Sequence, residues 1–214
     1  MHACYQLFKH PAIAPTQLAW TVVATDSAYV KWARNIALAA VAGALLVAPA
    51  AASASGSWDS LLAPESACPG QSDASLSVAN QVQTMVCMHR WARDQRGLPG
   101  LHISKQLRSS SARKARDIRR CQDFNHDACG RDAFYWFKRV GFLRGTFGAG
   151  ENLELGNAEA ATVRGAMSAW LNSDEHRSVL LTQNFDDVGI SMVSGQFKGY
   201  SGVAIWVAHF GYHH

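Results

Sequence analysis

The spacing of hydrophobic residues predicts a series of helices through the middle of the chain. Over residues 74–97, apolar side chains recur at intervals of three and four residues, which is the period of one face of an α-helix. The same period, with fewer apolar positions, predicts three more helices and a short fifth. These cover residues 104–121, 131–140 and 158–171, with the fifth following a capping pattern at Asn172 and Glu175.

The pattern changes towards the end of the chain. Residues 186–193 and 202–211 alternate or run continuously apolar, and a loop rich in glycine and serine joins them as a hairpin. The glycine-rich stretch 141–156 indicates a close backbone approach or a short strand. Because helices come first and strands last, without βαβ alternation, the order predicts an α+β fold with an antiparallel sheet.

The beginning of the chain predicts a secretory leader. Lys31 and Arg34 precede an apolar run at residues 36–47, and a tract of alanine and serine follows at residues 50–54, as in a cleaved signal peptide. The run is about a dozen residues, whereas a membrane-spanning helix needs about 20, so no stable transmembrane helix is expected. An uncleaved anchor is the alternative interpretation.

These signals divide the chain into three parts. Residues 1–54 form the leader, of which residues 1–29 lack signal-peptide order, so that a later translation start is an alternative. Residues 55–73 are rich in serine, glycine and proline and predict an exposed lead-in. Residues 74–214 are the globular domain.

Composition and charge exclude few classes of protein. Hydrophobic residues make up 48% and charged residues 17% of the chain, as in ordinary globular proteins. From residue 55 onward there are 17 basic and 15 acidic residues, so the net charge gives no reason to expect a nucleic-acid partner. We expect a monomer.

Cysteine usage favours an extracellular protein. Beyond the leader there are four cysteines, an even number that suits an oxidising compartment. Three pairings are possible, and the local pairs Cys121–Cys129 and Cys68–Cys87 are favoured. A zinc site is the alternative, although the spacing lacks a C-x2-C pair.

Candidate chemistry lies in three segments: CQDFNHDACG with His126, GAGENLELG with Glu151, and NSDEHR with His176. Two imidazoles and a carboxylate can share a proton or bind a metal ion, so we expect these segments to form one cleft. His89 and His102 are expected at the surface. The basic residues of the second helix, Lys114 among them, predict a solvated face or a contact with an anionic polymer or lipid head groups.

From Val86 to Gly211 the chain resembles the CAP superfamily (cysteine-rich secretory proteins, antigen 5 and pathogenesis-related proteins; the SCP domain), and most of all its bacterial secreted branch. The matching pieces occur in the order RDQRGLPGL, ARKARDI, FNHDACG, GENLELG, AWLNSDEHRSVLL, NFDDVGISM and WVAHFG. The resemblance implies an α–β–α sandwich, a central antiparallel sheet flanked by helices.

The resemblance also implies a cleft lined by two histidines and two acidic residues, which binds zinc or another divalent cation in some members. The matching positions here are His126, Glu151 and His176, while Ser173 replaces the second acid. His126, His176 and Glu151 are therefore the expected metal ligands, and three ligands with a water suffice for zinc.

Three functions are compatible with these residues. The leading hypothesis is a secreted domain that binds a lipid, a cell-envelope component or another extracellular ligand in its His/Glu-lined cleft, without established catalysis. The first alternative is a metal-assisted or His/Glu-dependent hydrolase, a protease or esterase, although no G-x-S-x-G or H-E-x-x-H motif occurs and no catalytic residue is assigned. The second is a structural interaction domain whose polar residues hold three loops together.

Overall fold

The computed structural model describes residues 5–9 and 58–214. Residues 10–54 of the predicted leader lie outside the described residues, whereas residues 5–9 of that leader are described as a strand. The described helices are α1 (Val78–Asp94), α2 (Lys105–Cys121), α3 (Tyr135–Arg139), α4 (Val163–Asn172) and α5 (Asp174–Leu180). The strands are β1 (Tyr5–Lys9), β2 (His102–Ile103), β3 (Phe147–Gly156), β4 (Asp187–Phe197) and β5 (Tyr200–His213). Short 3-10 turns cover Trp58–Leu61, Ala128–Gly130 and Ala158–Ala161.

The strands form one sheet in the order β1-β3-β5-β4-β2. β3 and β4 flank β5, and both run antiparallel to it. β1 pairs antiparallel with β3, whereas β2 adds a two-residue parallel contact to β4. The sheet is therefore mainly antiparallel, as the α+β pattern predicts.

Both faces of the sheet are covered by helices. Successive side chains of a strand point to opposite faces, and β5 shows this directly. Trp206 and Phe210 pack in a cluster with residues of α1, α4 and α5, whereas Ile205 and Val207 pack with residues of α2. The predicted α–β–α sandwich is confirmed.

Serine and threonine side chains cap the longer helices. Ser77 accepts a hydrogen bond from the Asn80 amide at the start of α1, and Ser104 accepts one from Leu107 at the start of α2. The start of α5 differs from the prediction by one residue, because Ser173, and not Asn172, is the N-cap.

The segment before α1 is only in part the exposed lead-in that the sequence predicts. Leu61, Ala63 and Cys68 are buried in the core, and Gln71 is buried as well, with its amide donating to the carbonyls of Ala63 and Cys68. The prediction of exposure is wrong at these positions for two reasons. The polar composition of the segment gives no sign that Leu61 and Ala63 are buried, and the disulfide from Cys68 holds the segment on the domain.

Both favoured disulfides are present. Cys68 bonds to Cys87 on α1, and Cys121 at the end of α2 bonds to Cys129, with Cα–Cα distances of 5.8 and 5.5 Å. Within the described part of the chain, no helix combines the length and the apolar character needed to cross a membrane.

Candidate functional site: a buried network around Glu151

Glu151 lies at the centre of a group of buried polar side chains. One carboxylate oxygen, Oε1, is 2.6 Å from Nδ1 of His126, and the other, Oε2, is 2.7 Å from Nε2 of His209. The ammonium group of Lys114 lies 3.8 Å from Oε1. We call these residues, together with Ser110, the Glu151 network.

Each member is positioned by a different element. In the register of β3 with β5, Glu151 is directly opposite His209, so the strand pairing brings the carboxylate and imidazole together. Ser110 and Lys114 are four residues apart on α2 and therefore share one face of the helix. His126 lies in the loop closed by the Cys121–Cys129 disulfide, and Lys114 Nζ donates to its backbone carbonyl.

Burial and charge together set the ionisation of the network. Burial alone would raise the pKa of Glu151, but the Lys114 ammonium and the hydrogen bonds from His126 and His209 outweigh it and hold the pKa well below its usual range. Burial lowers the pKa of His209, against the opposing effect of Glu151. The stable state is therefore a carboxylate beside a neutral His209.

This ionisation defines the direction of the hydrogen bonds. A neutral His209 that donates from Nε2 to Glu151 must accept at Nδ1, and the Ser110 hydroxyl donates to it over 2.6 Å. The ring also stacks on Phe137, with centroids 4.1 Å apart. Both imidazoles thus direct an N–H at the carboxylate.

The His176 imidazole contacts the cap of α5. Its Nδ1 is 2.8 Å from the Ser173 hydroxyl, which in turn donates to the Glu175 carboxylate over 3.0 Å. Its backbone carbonyl accepts from the side chain of Asn152, the residue after Glu151. The chain thus places the His176 backbone beside the GEN segment, while its imidazole bonds to the cap of α5.

Both oxygens of Glu151 accept hydrogen bonds from imidazoles in this structure. Over residues 58–214, no group of three His, Cys, Asp or Glu side chains is arranged to hold a metal ion. The expectations of a divalent cation, of a lipid or cell-envelope ligand and of a monomer stay predictions.

Sequence reasoning missed Ser110 and Lys114 and left His209 open. Lys114 is only 2% exposed, so the prediction of a solvated or polymer-binding basic face is wrong at that position. A signal was present, because Leu107, Ser110 and Lys114 recur at helical spacing on the stripe that α2 buries. His89 is also fully buried, whereas His102 is exposed as expected.

A second feature is an open groove of about 990 Å³ between α1 and α2, which we call the α1–α2 groove. Its α1 wall is mainly apolar and includes Val78, Val82 and Val86, and its α2 wall carries three cations. The cations are Lys105, Arg108 and Arg116, joined by Arg90 on α1. Residues 190–193 of β4 form the floor, and no carboxylate lines the groove among the described residues.

The fold and the site together define a disulfide-bonded α–β–α sandwich with a His/Glu network between one helix layer and the sheet. The chain belongs to the cysteine-rich secretory protein family, CAP, whose sequence model matches residues 86–210. CAP domain proteins are typically extracellular, and the two disulfides indicate an oxidising environment.

The individual proteins that resemble this chain have low sequence identity to it. The chain is 30% identical over 118 residues to the uncharacterized protein YkwD of Bacillus subtilis (strain 168); the match covers 55% of this chain and 44% of that protein, less than half its length. An outer surface protein from Borrelia burgdorferi has a similar fold, with a TM-score of 0.53 and 19% identity, over 65% of this chain and 97% of that one.

A solved extracellular protein containing an SCP domain, from Bacillus anthracis str. Ames, is 20% identical with a TM-score of 0.48. That comparison covers 64% of this chain and 44% of that one.

Proposed function

We propose that this chain is a secreted, non-catalytic binding domain, in which the Glu151 network is a structural brace and an anionic extracellular ligand binds in the α1–α2 groove. The observation that carries the proposal is that both carboxylate oxygens of Glu151 accept hydrogen bonds from buried imidazoles. Secretion is supported by the signal-peptide pattern, the disulfides and the family.

The same observation argues against a hydrolase that uses Glu151 itself as the general base. A general base must come within hydrogen-bonding distance of the proton that it abstracts from a substrate or water. Glu151 is 0% exposed, its pKa is held low by Lys114 and the two histidines, and each of its oxygens already has a donor. These features suit a residue that joins α2, β3, β5 and the disulfide loop.

The groove supports the binding role. An apolar group bound against the apolar wall would remove that surface from water, which is favourable. The four cations of the groove have no carboxylate beside them in its described lining and favour an anionic partner. Val78 is 45% exposed and Ile103 41% exposed, and both line the groove. Large apolar side chains left in water beside cations suit an amphiphilic anion.

The brace is tested by Glu151→Gln. Glutamine has only one acceptor oxygen, so its NH2 group would lie against an imidazole N–H, with two donors facing each other. The buried ammonium group of Lys114 would also lose its counterion. We expect the free energy of unfolding to fall by about 3 kcal/mol, measured by urea denaturation at pH 5.5.

Glu154→Gln is the matched control. Burial raises the pKa of Glu154 to about 7, so this side chain is already mostly neutral at pH 5.5 and the substitution changes little. Hydrolysis of peptide or ester substrates by the wild type, lost in a Glu151→Gln variant of unchanged stability, would contradict the proposal and favour the hydrolase.

A further inference from the structure

A second basic cavity lies on the exposed side of α2, where α2 meets α3 and the loop before it. It is an open pocket of about 590 Å³, and it shares only Arg116 with the α1–α2 groove. We call it the arginine pocket. Among the described residues of its lining, the only carboxylate is that of Asp117. Five arginines line it, namely Arg113, Arg116, Arg119, Arg120 and Arg131.

The Asp117 carboxylate holds two of these arginines in place. Its side chain is only 7% exposed. Oδ1 accepts a hydrogen bond from Arg120 over 3.2 Å, while Oδ2 accepts one from Arg131 and one from Nε1 of Trp136. Because both oxygens are engaged within the protein, Asp117 positions the guanidinium groups but balances only one of the five charges.

The indole of Trp136 positions arginines as well. The guanidinium carbons of Arg113 and Arg131 lie 5.2 and 5.1 Å from the ring centre, within the range of a cation–π contact. A guanidinium has five N–H donors, so Arg131 keeps donors for a ligand after it has bonded to Asp117. Side chains that are ordered before binding lose less entropy when a ligand arrives. The pocket is therefore preorganised for an anion.

The charge of the pocket exceeds what its own carboxylate balances. Five arginines and one aspartate leave an excess of four positive charges. In the part of the chain that the structure describes, the ion pairs of the pocket join Asp117 only to Arg120 and Arg131. A phosphate monoester carries about 1.5 to 2 negative charges at pH 7 and has three acceptor oxygens. Two such groups would balance the excess, whereas one carboxylate would not.

We infer that the arginine pocket binds a ligand with two or more neighbouring phosphate groups, as an anion site separate from the α1–α2 groove. Arg113, Arg116 and Arg120 are three and four residues apart, so they share one side of α2 and extend over about 10 Å of its length. Neighbouring phosphates of one ligand can therefore contact different arginines. Apart from Trp136, every described residue of the lining is charged, so this pocket lacks the apolar wall of the groove.

The probe is sodium tripolyphosphate, titrated into the disulfide-bonded protein by calorimetry at pH 7 and low salt, where exposed charges are least screened. We expect saturable binding, and much weaker binding of inorganic phosphate, which reaches fewer arginines. Arg113→Ala/Arg119→Ala should weaken tripolyphosphate binding by about tenfold. Neither arginine bonds to Asp117, and Arg119 loses only an exposed hydrogen bond to the Ser194 carbonyl, so this variant should fold.

Lys105→Ala/Arg108→Ala is the matched control. It removes two cations from the same helix, but both belong to the α1–α2 groove and neither lines the arginine pocket. The affinity for tripolyphosphate should stay within about twofold of the wild type.

Asp117→Asn tests whether the arginines must be held in place. The substitution makes the pocket more positive, but it removes the carboxylate that fixes Arg120 and Arg131. We expect weaker binding of tripolyphosphate, because the guanidinium groups would have to be ordered by the ligand itself. Tighter binding would mean that net charge alone attracts the anion, and the inference of a built phosphate site would be wrong.

Vesicles that contain phosphatidic acid, whose head groups present adjacent phosphates, distinguish the source of the ligand. Vesicle binding that is lost in Arg113→Ala/Arg119→Ala would identify a membrane surface, whereas binding of tripolyphosphate alone would identify a soluble ligand. The inference fails if tripolyphosphate does not bind, or if the two double variants bind it with equal affinity. A loss confined to Lys105→Ala/Arg108→Ala would place the anion in the α1–α2 groove, which overturns this inference and supports the proposed function.

Discussion

His89 lies on the inner face of α1, fully buried between aromatic rings. Trp170 approaches it edge-on at 5.5 Å, and Phe210 lies 5.6 Å away. Its Nδ1 donates to the Met85 carbonyl, while Nε2 is buried without a hydrogen-bond partner among the described residues. Burial lowers the pKa of His89 to about 4, so the folded protein holds it neutral at physiological pH.

This residue makes stability depend on pH. The ordinary histidine pKa is 6.5, so below that pH His89 is protonated in the unfolded chain but stays neutral in the folded chain. The folded state therefore loses stability as the pH falls from about 6.5 to about 4. The loss should be about 3 kcal/mol. We expect His89→Leu to remove this part of the pH dependence, measured by denaturation between pH 8 and pH 4.

The comparison uses the difference between variant and wild type, so that pH-dependent contributions from the rest of the protein cancel. His102→Gln, at an exposed position, serves as the control and should keep the wild-type profile. A His89→Leu profile parallel to that of the wild type would contradict the assignment. Nε2 of His89 is a buried acceptor without a hydrogen-bond donor among the described residues, which destabilises the folded state. His89→Leu should therefore be no less stable than the wild type at pH 8.

At the scale of elements, the approach of α2 to β4 is the tightest contact that supports the site. A Cβ added at Gly189 would lie 2.0 Å from the Leu107 carbonyl carbon and 2.1 Å from the Arg108 nitrogen. Gly189 is also opposite His209 in the sheet, so its lack of a side chain lets α2 reach the sheet where Ser110 meets His209.

Gly189→Ala should therefore displace α2. A backbone atom cannot move aside as a flexible side chain can, and we expect a loss of about 2–3 kcal/mol in the free energy of unfolding. Gly100→Ala is the matched control, because a Cβ there meets nothing within 4 Å. Equal stability of the two variants in urea would show that α2 adjusts without cost.

These elements also show what hydrophobic patterning can and cannot predict. The helices and the β4–β5 hairpin follow from local periodicity, since each buries one face. The glycine-rich stretch predicts only a short strand, but β3 has ten residues. Its glycines serve packing: a Cβ at Gly150 would lie 2.9 Å from Val179, which is distant in sequence.

The site was predictable only in part for the same reason. His126 and Glu151 are visible in their motifs, and the structure brings them into contact. His209 depends on which face of β5 it occupies, and that is decided by the strand register. The helical spacing of Lys114 indicates the buried stripe of α2, but the carboxylate that pairs with it comes from β3 and is not visible in the sequence of α2.

At the scale of the whole molecule, the segment before α1 is part of the domain. Leu61 and Ala63 fill the core between α1 and α4, and the Cys68–Cys87 disulfide holds the segment on α1. Arg164 of α4 also bonds to the Ala63 carbonyl and to the side chain of Gln71. Residues 61–71 therefore pack as part of the domain.

Removing that disulfide should loosen the segment. We expect Cys68→Ala/Cys87→Ala to lose about 3 kcal/mol of stability, and to become sensitive to limited proteolysis between residues 58 and 73. Cys121→Ala/Cys129→Ala removes a disulfide elsewhere and should leave that segment protected. Cleavage within residues 58–73 at the same rate in both variants would contradict this assignment.

The strand order carries a consequence for the timing of folding. β5 is the central strand of the sheet and the last of its five strands in the chain, and β3 and β4 pair with it but not with each other. During synthesis or export, N-terminus first, α1, α2 and even β3 emerge while the strand that joins the two halves of the sheet is missing. The sheet therefore cannot close until residues 200–213 have emerged.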